Sequence, residues 1–190
     1  MNPLIGIYSP ARQHGKTTVA NEFVKYGYST AKFAQPIYSM FIGLCMSQGM
    51  SMTMASAACN ERKEEASPLL GGLSFRTFAE GVGTKWGRDM FSKTLWVDMA
   101  RERFGNMIRE GCKVIVDDVR FENEYETLAS MGALMVKVVR PAGNHPSLPS
   151  DGHLDFLPDS AWQAIFINDT TRDSLASRAN GFVRRIAVTR

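Results

Sequence analysis

Gly15-Lys16-Thr17 follows the apolar run Leu4-Ile5-Gly6-Ile7-Tyr8 and the polar stretch Ser9-Pro10-Ala11-Arg12-Gln13-His14. Val19, Ala20, Phe23 and Val24 then recur at helical spacing. Strand, tight loop, and a helix that opens on Gly-Lys-Thr make an arrangement suited to a polyphosphate. Successive backbone N–H groups point into such a loop, and the helix start adds unpaired donors and a positive dipole end. Gly15 lets the backbone come close, Lys16 reaches the β- and γ-phosphates, and the Thr17 hydroxyl suits Mg²⁺. The loop from Arg12, Gln13 and His14 through Gly15, Lys16, Thr17 and Thr18 is therefore the expected ATP site. One fixed position of G-x-x-x-x-G-K-[ST] differs: Pro10 stands at the first glycine. Proline fixes φ and lacks an N–H, so the chain must enter this loop by another turn.

A second group lies at Lys113-Val114-Ile115-Val116-Asp117-Asp118. A continuous apolar run reads as a buried strand of a parallel sheet, and open α/β sheets bind ligands at the carboxyl ends of their strands. Two aspartates at such an end can simply close a strand. Beside a phosphate loop they read as metal or substrate ligands, with Asp117 and Asp118 both candidates.

These residues need elements to hold them. Tyr28–Phe33 reads as a second strand, Leu134–Val139 as a fourth and Ala164–Ile167 as a fifth. Between the second and third lie helical patterns. Ile37, Met40, Phe41 and Leu44 share one predicted face. Phe75, Phe78, Ala79, Val82 and Trp86 share another, capped by Ser74. Gly83-Thr84 and Gly87-Arg88 are expected to interrupt or end that helix. Leu95, Met99, Ala100, Phe104, Met107 and Ile108 form a longer stripe stopped by Gly111. Met46, Met50, Met52 and Met54 read as adaptable core filler, and residues 47–72 carry no firm pattern. Phe121, Tyr125 and Leu128 make a further helix face, and Leu175, Ala179, Phe182, Val183 and Ile186 a closing one. Residues 141–158, rich in Pro, Gly, Ser and Asp, read as a mobile lid. His145 and His153 within it, eight apart, read as surface residues and fit no usual zinc spacing. Strands alternating with helices predict an α/β fold: a five-stranded parallel sheet covered on both faces, in three layers. A single domain over residues 1–190 is expected, with a helical insertion at about 35–110 and the lid loop.

The chain has 190 residues, 44% of them apolar and 22% charged, as in ordinary globular proteins. A net charge of +3 is too mild to point to nucleic acid. Three distant cysteines, Cys45, Cys59 and Cys112, suggest no disulfide framework or metal pair and fit a reducing compartment. No charged side chain occurs from Phe33 to Asn60. Gln35, Pro36, Ser47, Gln48, Gly49 and Ser51 nevertheless break any run long enough for a membrane span. A cytoplasmic protein, monomeric or homodimeric, with no nucleic-acid or membrane partner is expected.

Val114-Ile115-Val116-Asp117-Asp118-Val119-Arg120-Phe121-Glu122-Asn123-Glu124 resembles the D-V-R-F-x-N-E signature of phage-type deoxynucleoside monophosphate kinases, a branch of the P-loop NTPase fold. Arg76–Arg88 is similar to that family's R…G-T…G-R segment, Trp96 falls where its members often carry tryptophan, and Ile167-Asn168-Asp169 fits as well. The resemblance implies transfer of the γ-phosphoryl group of ATP, with Mg²⁺, to a deoxynucleoside 5′-monophosphate. It would occur in the host cytoplasm if a phage encodes the chain. By family position Arg76 and Arg88, with Thr84 between them, would grip the acceptor. Arg120 would lie near the transferring group, Asp118 near the metal or acceptor, Arg140 on the lid side, and Asn168 against adenine. Phe33-Ala34-Gln35-Pro36-Ile37-Tyr38 stands where the family tends to carry F-A-D-P-L-K, so Phe33 and Gln35 fall on the acceptor side. His153-Leu154-Asp155 stands where the family's lid often reads H-x-S-E. Thr17 replaces the family's usual aspartate and brings the loop closer to the general phosphate-loop pattern.

Overall fold

A computed structural model describes residues 2–68, 71–141 and 152–188 of the chain. Five strands run β1 (Leu4–Tyr8), β2 (Tyr28–Ala31), β3 (Lys113–Val119), β4 (Leu134–Val139) and β5 (Ala164–Ile167). All pair in parallel, in the order β2-β3-β1-β4-β5. β1 is central, with β3 on one side and β4 on the other, so the chain leaves β1 at the point where the strand order reverses. The crevice beside such a reversal is where open α/β sheets take their ligands.

The chain divides into two compact units, Met1–Phe33 with Met99–Arg190, and Ala34–Asp98. In the first, the sheet carries helices on both faces. Ile5, Ile7, Ile115, Val136 and Val138 pack with Val19, Ala20 and Phe23 of α1 (Lys16–Val24) and with Leu175, Ala179, Phe182 and Val183 of α7 (Arg172–Val188). Burying each large apolar side chain here contributes about 1.5–3 kcal/mol before chain entropy is counted. On the opposite face lies α6 (Glu122–Ser130), which buries Leu128. Arg101 of α5 (Leu95–Arg109) donates to Thr127 of α6 across 3.4 Å. β2 stops two residues short of the expected Phe33. Lys32 and Phe33 leave the ladder because side chains take their backbone groups: Arg103 donates to the Lys32 carbonyl, and the Phe33 N–H donates to Asp118.

The second unit is helical. Phe41, Cys45, Ala55, Cys59 and Phe75 form its core, drawn from α2 (Gln35–Ser47), α3 (Met52–Asn60) and α4 (Phe75–Glu80). Ser74 caps α4 by accepting from the Thr77 N–H, as expected. Three expectations change. α2 buries Ile37, Phe41 and Cys45, a strict four-residue row, and leaves Met40 and Leu44 exposed. Met46, Met52 and Met54 are exposed rather than core filler. The glycines after α4 do not break the helix. It widens into a π-helical segment, Gly81–Phe91, and Trp86 is 38% exposed there instead of facing the core. Trp96 takes the buried place. Its Nε1–H donates to the Gly83 carbonyl at 2.7 Å, and a Cβ on Gly87 would lie 2.4 Å from its ring. Among the described residues no helix is long and apolar enough to cross a membrane.

Candidate functional site

The phosphate loop is built from the end of β1 to the start of α1. Its left-handed residues are Gln13 (φ 60°) and Gly15 (φ 105°), so the chain reverses there and not at Pro10. That is how a proline fits at the first fixed position: the tight turn does not ask residue 10 for a positive φ. The Pro10 carbonyl instead accepts from the Gly152 N–H at 2.9 Å. Gly15 is constrained twice, because a Cβ there would also meet Leu175 at 2.5 Å and Asn168 at 3.0 Å. Lys16 reaches back across the loop, and its ammonium donates to Ser9 Oγ at 2.7 Å. The Ser9 hydroxyl in turn donates to the Ala11 carbonyl at 2.7 Å.

His14 stitches this loop to the neighbouring strand ends. Its Nδ1 accepts from the Arg140 N–H at 3.1 Å, and its carbonyl accepts from Asn168 Nδ2 at 3.0 Å. The Asn168 N–H donates to the Val139 carbonyl at 2.7 Å. Loop, β4 end and β5 end are thereby tied together through buried His14 and Asn168. Beside them opens a pocket of about 180 Å³ lined by Gln13, Gly15, Thr18, Arg140, Asn168, Arg172 and Leu175. Asn168 Oδ1 is buried with no hydrogen-bond partner among the described residues. Arg172, the first residue of α7, is the lining cation that sequence reasoning missed. The turn Asn168-Asp169-Thr170 before it is the only signal that could have drawn attention to it.

At the end of β3 the two aspartates have different duties. Asp117 pairs with Lys32 at 3.0 Å, both half-buried or less exposed. Asp118 Oδ1 accepts from the Phe33 N–H at 3.0 Å. Phe33 is only 2% exposed, with its ring edge-on to Phe104, so what it offers this end of the sheet is its backbone N–H. Arg103, also unmarked in the sequence, lies over the Phe104 ring at 5.1 Å. Burial pushes its guanidinium below the ordinary arginine value, while the nearby Asp118 charge pulls it back up. Arg120 follows directly. Its N–H and that of Phe121 both donate to Glu124 Oε2, at 2.8 and 3.2 Å. The buried Glu124 carboxylate thus caps α6 and fixes the backbone from which Arg120 projects.

The lid-side residues within the described segments dock on the same unit. Tyr8 OH donates to Asp155 Oδ1 at 3.0 Å and accepts from the Leu154 N–H at 3.4 Å. Lys137 approaches Asp155 at 3.5 Å and lies over the Tyr8 and Trp162 rings. His153 packs on Phe121, with ring centres 4.9 Å apart. His145 and most of the expected lid, residues 142–151, lie outside the described residues.

Of the expected site residues, the first unit holds Arg12, Gln13, His14 and Gly15 on the loop after β1, Lys16, Thr17 and Thr18 in the first turn of α1, Phe33 just after β2, Asp117 and Asp118 near the end of β3, and Arg120, Arg140 and Asn168 directly after β3, β4 and β5. Gln35, Arg76, Thr84 and Arg88 belong to the second unit. There Gln35 and Thr84 are exposed, Arg76 pairs with Glu64, and Arg88 donates to the Lys93 carbonyl at 3.4 Å. Among the described residues no three His, Cys, Asp or Glu side chains are grouped to hold a metal ion. Mg²⁺ on a polyphosphate takes most of its ligands from phosphate and water. The Thr17 hydroxyl and the Asp117 and Asp118 carboxylates are hard oxygen donors of the kind that ion accepts; Asp117 pairs with Lys32, and Asp118 accepts from the Phe33 N–H.

A family model described as deoxynucleotide monophosphate kinase matches residues 19–178. Among curated protein sequences none matches the chain. A solved structure, a dephospho-CoA kinase from Campylobacter jejuni, is similar in fold: TM-score 0.56 at 12% identity, covering 98% of each chain.

Proposed function

Because the chain belongs to the deoxynucleotide monophosphate kinase family, we propose that it transfers the γ-phosphoryl group of ATP to the 5′-phosphate of a deoxynucleoside monophosphate, yielding ADP and the diphosphate. The observation that carries the reading is that the phosphate loop, Asp118, Arg120 and Arg140 all lie at the carboxyl ends of neighbouring parallel strands, with a pocket lined by Gln13, Gly15, Arg140 and Asn168 beside the loop.

In this reading the loop amides and Lys16 hold the β- and γ-phosphates, and the pocket of Arg140, Asn168 and Arg172 takes the nucleoside end of ATP. An acceptor phosphate oxygen forms the new bond to the γ-phosphorus as the bond to the β-phosphate oxygen breaks, and ADP leaves with that electron pair. The attacking oxygen is already anionic, so no general base is needed and no histidine is assigned one. The protein's work is positioning and charge neutralisation. Lys16, Arg120 and Arg140 offset the charge on the moving group. Arg76 and Arg88 bind the acceptor phosphate, which suits the planar fork of a guanidinium. Thr17 and Asp118 would hold Mg²⁺, which would supply positive charge to offset that of the phosphates.

The test is a panel of the four deoxynucleoside 5′-monophosphates with ATP and Mg²⁺, scored for ADP and diphosphate, with dephospho-coenzyme A as a separate acceptor. Turnover of one or more monophosphates is expected. Turnover of dephospho-coenzyme A alone would move the chain to the activity named for its structural neighbour. ATP binding with no product from any acceptor would make it a nucleotide-binding module.

A further inference from the structure

In the second unit, the residue assigned to the acceptor phosphate is held by an anion. Arg76 sits in the first turn of α4, where Ser74 fixes the helix start. Its backbone N–H donates to the Lys63 carbonyl at 3.0 Å, and its Nε pairs with Glu64 Oε1. Two adjacent residues of one turn therefore hold the same arginine, one by backbone and one by charge. The pair is lopsided: the Glu64 side chain is 64% exposed and that of Arg76 23%. Lys63 engages a different residue. Its ammonium donates to the Tyr38 hydroxyl at 3.3 Å and lies 5.7 Å from that ring. Lys63 thus ties the turn to α2, and Glu64 is its more exposed neighbour.

We propose that Glu64 is a specificity-determining residue for the acceptor: its carboxylate holds Arg76 as a placeholder for the acceptor's phosphate and is displaced when that phosphate binds. The inference rests on the reading of Arg76 as an acceptor ligand. Carboxylate and phosphate oxygens are both anionic acceptors for a guanidinium N–H, so the two anions compete for the Arg76 Nε that Glu64 Oε1 now holds. An exposed ion pair of this kind is weak, and a phosphate dianion brings more charge than a carboxylate. Displacement is therefore cheap for a monophosphate. A nucleoside without phosphate has nothing to exchange for Glu64 and leaves the pair closed.

The experiment is calorimetric titration of the four deoxynucleoside monophosphates into wild-type protein, Glu64→Gln, Arg76→Ala and the double variant, with the matching nucleosides as controls. Removing a competing anion of this exposure should tighten monophosphate binding about twofold to fivefold in Glu64→Gln. The gain should vanish in the Arg76→Ala background and be absent for nucleosides. In turnover assays the same change should appear in KM. Equal or weaker binding by Glu64→Gln would overturn the placeholder role while leaving the kinase reading intact, as would a gain that survives Arg76→Ala. If neither wild type nor Glu64→Gln binds any of the four, the kinase reading falls and the inference with it.

Discussion

Lys16 and Gly15 are neighbours with separable duties, and their substitution should separate them. Lys16 directs its ammonium to Ser9 Oγ on the loop side. Lys16→Ala should lower kcat by about a hundredfold to a thousandfold, the cost of removing a charge aimed at the transition state. Its melting temperature should stay near wild type, and a wild-type turnover would take Lys16 out of the mechanism. Gly15 is the reverse case. A side chain there meets both a left-handed backbone and the Leu175 and Asn168 side chains. Gly15→Ala should cost about 2–4 kcal/mol, combining backbone strain and overpacking. In a domain of this size that lowers the melting temperature by on the order of 10 °C. A thermal melt indistinguishable from wild type would show that the loop can relax around the methyl group.

At the scale of elements, α1 carries the phosphate loop's helix start, and α7 holds it against the sheet. Glu22 of α1 links them. It accepts from Lys25 at 2.7 Å and from Asn180 of α7 at 3.1 Å. The Lys25 bond holds its carboxyl below the ordinary value of 4.5, with burial opposing and Asn180 and the Lys25 charge assisting. A depressed carboxylate contributes stability that is present above the unfolded-state value and is lost as pH falls through the folded-state value. Glu22→Gln should therefore unfold with a shallower loss of stability as pH drops below about 4.5, while at neutral pH it should be the less stable protein. Denaturant melts at pH 7 and pH 3.5 check this, and parallel curves for the two proteins would remove Glu22 from the acid response. The same scale explains what the sequence made legible. β1, β3 and β4 were readable because a strand buried on both faces needs an uninterrupted apolar run, and Ser74 because a cap has a fixed chemistry. α3 was not, since it packs through Ala55 and Cys59, too small to make a stripe beside exposed methionines. Trp86 was misplaced because a π-helical turn advances by a different angle from the α-helical stripe on which it was counted. Arg103 and Arg172 carry no signal of their own, because nothing local in the chain says which strand ends they meet.

At the scale of the whole molecule, the proposed donor and acceptor ligands fall in different units of the chain. Lys16, Thr17, Arg140 and Asn168 lie in the first unit, and Arg76 and Arg88 in the second. That division makes the two binding events separable by mutation. A ligand that binds only the folded chain stabilises it by RT ln(1 + [L]/Kd), about 2.7 kcal/mol at a hundred times Kd. For a chain of this length the shift in melting temperature is roughly 5–10 °C, well within what a thermal scan resolves. Arg76→Ala should keep the shift given by ATP and lose most of the shift given by a deoxynucleoside monophosphate. Lys16→Ala should do the opposite, because in the proposed reading its ammonium serves the donor's phosphates. The crossed pattern is what distinguishes two sites from one, since general damage to the fold would lower both shifts in both variants. If Arg76→Ala loses the ATP shift while the monophosphate shift holds, the guanidinium serves the donor. The acceptor must then be sought among Arg103, Arg120 and the carboxylates that close β3.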